Sequence, residues 1–167
     1  MGTIELIKCD ITKIGTEAIV NAANDRLEAG SGVCGAIFDA AGYHRLQKEC
    51  NTFGGCKEGS AVITKGYDLC PYIIHAVGPR YSEHEDRDHI LYSAYIASLE
   101  LAKENGIKSI GFPLISAGIF GYPVDLAWKI AIKACRDFTD ENIDIDLEIK
   151  FAIRDQKILD RGKLLMA

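Results

Sequence analysis

Six short apolar runs punctuate the chain at Ile4–Cys9, Ala18–Asn21, Ser60–Thr64, Tyr72–Val77, Ser109–Leu114 and Leu147–Ile153. Their length suits strands. Several are almost continuously apolar, as strands covered on both faces must be. Between them lie helical periodicities. One begins near Val33, carries Ala36, Ile37, Ala40 and Ala41, and stops at Gly42; the stretch Phe38–Cys50 also reads as helical. A second runs from about Asp86 to Asn105 with Leu91, Ala94, Ser98, Leu101 and Ala102 on one face, and Gly106 as its stop. A third starts at Pro123, read as a first helical position, and sets Ala127, Ile130, Ala131, Ala134 and Phe138 on one face. Strands alternating with amphipathic helices predict an α/β fold, a three-layer α/β/α sandwich around a mixed, mostly parallel six-stranded sheet.

The 167 residues suffice for one domain, taken as residues 1–167, and 48% hydrophobic content gives it a sizeable core. A net charge of −5 disfavours a broad electrostatic grip on nucleic acid. It does not exclude an anionic ligand, because aligned backbone N–H groups bind anions without net positive charge. No apolar run approaches the ~18–20 residues of a membrane span. Met1 to Asp10 reads as a strand, not a signal peptide, so a cytoplasmic location is expected. The six cysteines lie in apolar segments and read as reduced thiols. Cys50, Cys56 and Cys70 with His44 or His75 match no standard zinc spacing, so no metal is expected. His75, inside an apolar run, reads as a core histidine.

Ligands of such sheets sit beyond the carboxyl ends of the strands, and four groups of suggestive residues follow strand ends. Asp10-Ile11-Thr12 offers a carboxylate acceptor beside a backbone donor, or simply a turn cap. Asn21-Ala-Ala-Asn24 precedes Gly30-Ser31-Gly32-Val33-Cys34-Gly35, which enters a helix and so forms an anion site. Gly30, Gly32 and Gly35 spell G-x-G-x-x-G, but polar residues separate them from the preceding strand and a helical stretch follows. Both features disfavour a dinucleotide fingerprint, and no Gly-Lys-Ser/Thr supports a P-loop. Pro113 through Gly121 is a second loop of small residues before a helix. Two such loops facing one crevice suggest a pyrophosphate between them; two ordinary turns are the alternative. Arg154-Asp155 offers either a guanidinium to stack on a base or a surface ion pair. Cys34, near a helix start, could be activated as a nucleophile, but no partner histidine is identifiable nearby in sequence.

Taken in order, Asp10-Ile11-Thr12, Asn21-Ala-Ala-Asn24, Gly32-Val33-Cys34-Gly35-Ala36-Ile37, Ile74-His75-Ala76-Val77-Gly78-Pro79 and Pro113 through Phe120 resemble the macrodomain family, the ADP-ribose-recognising fold. The resemblance covers nearly the whole chain. It implies that Asp10 contacts the adenine amine, with Ile11 helping through its backbone and Arg154 and Asp155 bordering the base. It implies that Ala22 and Asn24 line the site, Asn24 holding hydroxyls of the distal ribose. Gly32, Val33 and Cys34, with Ser116, Ala117, Gly118, Ile119 and Phe120, would wrap the diphosphate and distal ribose, Phe120 shielding the sugar. The MacroD-like branch commonly has Gly-Val-Asp where Gly32-Val33-Cys34 stands, and a histidine where Phe38 stands. The Gly-Val-Cys form looks more like the viral macrodomains.

The implied function is hydrolysis of esters at the distal ribose, on mono-ADP-ribosylated Asp or Glu of proteins or on O-acetyl-ADP-ribose. Asn24, Gly118 and Phe120 would position the sugar, and the ligand's own phosphate would assist the water. A non-catalytic ADP-ribose reader and a phosphatase for ADP-ribose 1″-phosphate are the alternatives. No cofactor is implied. ADP-ribose derivatives and mono-ADP-ribosylated proteins are the expected partners, and a monomer is expected.

Overall fold

The computed structural model describes all 167 residues, Met1 to Ala167. Six strands form one sheet: β1 (Thr3–Lys8), β2 (Ala18–Ala22), β3 (Ala61–Lys65), β4 (Tyr72–Ala76), β5 (Ser109–Phe112) and β6 (Glu148–Ile153), each within two residues of its expected bounds. The spatial order is β1-β6-β5-β2-β4-β3, with every neighbouring pair parallel except β3 against β4. The mixed, mostly parallel sheet is therefore as the apolar runs predict.

Five helices cover it: α1 (Gly32–Ala41), α2 (Tyr43–Asn51), α3 (Asp88–Glu104), α4 (Val124–Glu141) and α5 (Gln156–Met166). Alternate strand residues serve opposite layers, as a two-residue period requires. Val20, Ile74, Phe112 and Phe151 pack with Leu91, Tyr95, Trp128 and Leu159 of α3, α4 and α5. Ile19, Ile73 and Ala152 pack with Ile37, Phe38 and Leu46 of α1 and α2. That completes the α/β/α sandwich. None of the helices is long and apolar enough to cross a membrane.

Three details differ from the sequence expectation. Pro123 is not the first helical residue; with ψ at 135° it is the extended residue before α4. The first helix stops at Gly42 as expected, so the stretch Phe38–Cys50 is not one helix but parts of two, broken where Gly42 takes a φ of 112° outside any helix. Residues 156–166 form α5, capped by Asp155, whose carboxylate accepts the N–H groups of Lys157 at 2.9 Å and Ile158 at 3.1 Å.

Candidate functional site

Because β1, β6, β5, β2 and β4 run parallel, their carboxyl ends emerge on one side, and the loops that follow them meet there. A cleft of about 500 Å³ lies between two of these loops. Ala22, the last residue of β2, with Ala23 and Asn24 after it, forms one part of its wall. Gly30 through Cys34 form a second, and Pro113 through Ser116 with Gly118 through Phe120 a third.

The first loop enters α1, so the opening N–H groups of that helix have no partner four residues back. Gly32, Val33 and Cys34 donate no backbone hydrogen bond, whereas Gly35 donates to Ser31 at 3.4 Å. Gly35 also lets Gly30 lie against the helix: a Cβ there would sit 2.6 Å from the Gly30 carbonyl oxygen. In the second loop, Ser116, Gly118, Ile119 and Phe120 likewise donate no backbone hydrogen bond. Ser116 takes a φ of 66°, costly for a residue with a Cβ. Its hydroxyl donates to the Pro79 carbonyl at 2.7 Å, and its own carbonyl accepts Tyr122 N–H at 2.9 Å. Gly78 makes that approach possible, since a Cβ there would lie 2.3 Å from Ser116 Oγ.

Asp10 and Arg154 extend the same edge of the sheet. They follow the parallel neighbours β1 and β6, whose last paired residues are Lys8 and Ile153. Asp10 Oδ1 accepts both the hydroxyl of Thr12 at 2.8 Å and its N–H at 2.9 Å. Those bonds, assisted by the charges of Arg154 and Lys13, hold the carboxyl below the usual carboxylate range. Asp10 is thus also the cap of the single 3-10 turn Ile11–Lys13, and Ile11 is buried behind it. Asp155 caps α5 beside Arg154. None of these four lines the cleft itself, and neither does Ala117.

Beneath the cleft the polar contacts are less expected. Burial pushes the Cys34 thiol up, against smaller opposing contacts with the Gly30 backbone and the Asn21 amide. The helix start therefore does not produce an activated thiolate. His75 is fully buried, as a core histidine should be, and burial lowers its pKa to about 4. The Thr64 hydroxyl donates to the Lys65 carbonyl at 3.0 Å, so its oxygen is left to accept from His75 Nε2–H at 3.0 Å. Nδ1 then accepts from Asn21 Nδ2 at 3.1 Å, while Asn21 Oδ1 is buried without a partner. Cys50 Sγ lies 3.7 Å from His75 Nε2.

Sequence reasoning missed Arg80. It lines the cleft with Gly78, and its guanidinium lies 4.6 Å from the centroid of the Phe120 ring. Only its position after Gly78-Pro79 hinted at this.

Residues 20–131 match the family described as Macro domain. The ADP-ribose glycohydrolase MACROD2 of Xenopus laevis is 42% identical over 166 residues, covering 93% of this chain and 40% of that protein. The O-acetyl-ADP-ribose deacetylase 1 of Pantoea vagans is 46% identical over 148 residues, covering 85% of this chain and 86% of that one. The solved Trypanosoma brucei macrodomain in complex with ADP-ribose superposes with a TM-score of 0.90 at 38% identity, covering 98% of this chain and 69% of that chain.

Proposed function

The chain belongs to the Macro domain family, and from that membership we propose that it binds ADP-ribose in the cleft and hydrolyses esters at the distal ribose. Two rows of unpaired backbone N–H groups, Gly32 to Cys34 and Ser116 with Gly118 to Phe120, bordering one cleft, carry this reading. Such donors suit a diphosphate in a chain whose net charge is −5. Adenine then lies toward Asp10 and Arg154, the carboxylate accepting the exocyclic amine, and the distal ribose lies toward Asn24 and Phe120. The names of the two curated relatives, a glycohydrolase and a deacetylase of ADP-ribose compounds, support hydrolysis.

No carboxylate or imidazole lines the cleft, so catalysis rests on positioning and electrostatics. Asn24 orients the sugar and the Gly118–Phe120 segment presses it into a reactive pose. For an ester at the anomeric carbon, a water between the diphosphate and that carbon attacks it, the bond from the carbon to the acyl oxygen breaks with its electron pair leaving on the carboxylate, and the water gives up a proton to the ligand's own phosphate. Substrates are proteins mono-ADP-ribosylated on Asp or Glu, or O-acetyl-ADP-ribose. The same lack of an acid or base favours a second reading, a non-catalytic ADP-ribose reader.

The deciding experiment is release of free ADP-ribose from a protein modified on Asp or Glu, with Asn24→Ala as the control. Release that depends on Asn24 supports the hydrolase. Tight ADP-ribose binding without release from any such ester leaves the reader.

A further inference from the structure

One ionised side chain lines the cleft, and it is Arg80. Arg45, Arg87 and Arg161 are each spent on a carboxylate, of Asp68, Glu58 and Asp125. Arg80 has no such partner and no hydrogen-bond acceptor; its one polar contact is with the face of Phe120. A guanidinium stacked on a ring keeps its edge N–H groups free to donate.

The backbone holds this pair in register. On one side of Arg80, the Pro79 carbonyl accepts the Ser116 hydroxyl at 2.7 Å. On the other, Tyr81 N–H donates to the Phe120 carbonyl at 2.8 Å. Tyr81 also packs edge-on against Tyr122, with ring centroids 5.2 Å apart. The backbone on both sides of Arg80 is thus tied to the Ser116–Phe120 loop.

We propose that Arg80 is a catalytic residue of the ester hydrolysis, receiving the negative charge on the carboxylate that leaves the distal ribose. This rests on the reading that the cleft holds ADP-ribose with its distal sugar against Phe120. In the reaction the water oxygen bonds to the anomeric carbon as the bond from that carbon to the acyl oxygen breaks. The electron pair of the broken bond goes to the acyl oxygen, and the water's proton goes to the ligand's phosphate and then to solvent. A carboxylate spreads the new charge over two oxygens, the geometry that a guanidinium fork matches. The cleft has no side-chain acid to protonate the leaving group, and a carboxylate does not need one, provided a fixed cation meets it.

The test uses the full chain with a protein mono-ADP-ribosylated on glutamate, comparing wild type with Arg80→Gln, Arg80→Lys and Arg80→Ala. Single-turnover rates are measured alongside ADP-ribose affinity by calorimetry. Arg80→Gln is expected to slow turnover about tenfold to hundredfold, with ADP-ribose affinity changed by less than about threefold. Arg80→Lys should recover part of the rate, and millimolar guanidinium ion should recover part of it in Arg80→Ala. Unchanged turnover in Arg80→Gln overturns the proposal. So does a loss of ADP-ribose affinity matching the loss of rate, which would make Arg80 a prop for Phe120 or a ligand of the diphosphate. If wild type binds ADP-ribose but releases none from the ester, the hydrolase reading falls and this one with it. If wild type turns over and Arg80→Gln equals it, only the role of Arg80 falls.

Discussion

The Asn24 side chain is bonded at both ends to the backbone of Glu28, its Nδ2 donating to the carbonyl at 2.8 Å and its Oδ1 accepting the N–H at 3.0 Å. The amide thereby closes the loop that leads to Gly30, while keeping one N–H and one lone pair for a ligand. Asn24→Ala should therefore act twice. Loss of the loop closure should lower stability by about 1 kcal/mol, and loss of the sugar contact should slow ester hydrolysis by about tenfold or more. Asn24→Asp keeps the acceptor for Glu28 N–H but sets a carboxylate oxygen against the Glu28 carbonyl oxygen in place of the donor, so it should be no more stable than Asn24→Ala and still slow. Urea midpoints and ADP-ribose release separate the two effects. Unchanged turnover in a folded Asn24→Ala would remove Asn24 from the reaction.

Cys34 occupies the third position of α1 with its thiol buried, and burial keeps it protonated. On the proposed reading, what it offers the ligand is its unpaired N–H. Cys34→Ala should accordingly leave turnover within about twofold, at a stability cost of about 1 kcal/mol for the lost packing. Alkylation of the native protein near neutral pH should be slow. Abolished activity in Cys34→Ala would mean that the sulfur itself takes part.

Much of the fold could be read from the sequence because the sheet is buried on both faces. Segments such as Ala18–Val20 and Ile73–Ile74, buried in the central strands β2 and β4, are apolar throughout, and that is visible without any partner. Helix α5 escaped because only Leu159 and Gly162 of its eleven residues are buried, which leaves little periodicity to detect. Its cap, Asp155, holds two helix N–H groups through its carboxylate, a role that spacing alone does not separate from that of a residue bordering a ligand.

The site divides the same way. The two loops announce themselves by small residues after apolar strands, a local signal. Arg80 does not, since its pairing with Phe120 joins segments forty residues apart through the Ser116–Pro79 and Tyr81–Phe120 hydrogen bonds. Nor could spacing reveal that Asn21 has a buried oxygen without a partner. That depends on Thr64 and His75, brought beside it by β3 and β4.

The buried His75 gives the fold an acid sensitivity of definite sign. Unfolded, the imidazole titrates at its ordinary value of about 6.5; folded, burial holds it near 4. Between those values the unfolded chain binds a proton that the native state refuses, so stability falls as pH drops from about 6.5 to about 4 and this contribution levels off below. The full loss is about 3 kcal/mol by linkage. Urea midpoints at pH 7 and pH 4.5 check it, with His75→Gln as the reference that removes this contribution while other acid-titrating groups remain. The variant should be less stable than wild type at pH 7 and should lose less on acidification. Equal losses in the two proteins would mean that His75 does not resist protonation.

Gly78 is where the cleft is most exposed to a small change of volume. It is buried, and an added Cβ would lie 2.3 Å from Ser116 Oγ and 2.6 Å from Ile115 Cγ2. Neither neighbour can retreat freely, because Ser116 is bonded to Pro79 and the Ile115 N–H donates to the Tyr95 hydroxyl at 2.9 Å. Gly78→Ala should destabilise the protein by about 1–3 kcal/mol, as overpacking does. It should also move the Ser116–Phe120 loop off its partners and weaken ADP-ribose binding by about tenfold, equivalent to roughly 1.4 kcal/mol. Pairing it with Ser116→Ala removes the closer clash and keeps the clash with Ile115. The double variant should then be more stable than the sum of the single effects predicts, a coupling readable from three urea curves. Strict additivity would mean that the loop accommodates the methyl group without touching Ser116.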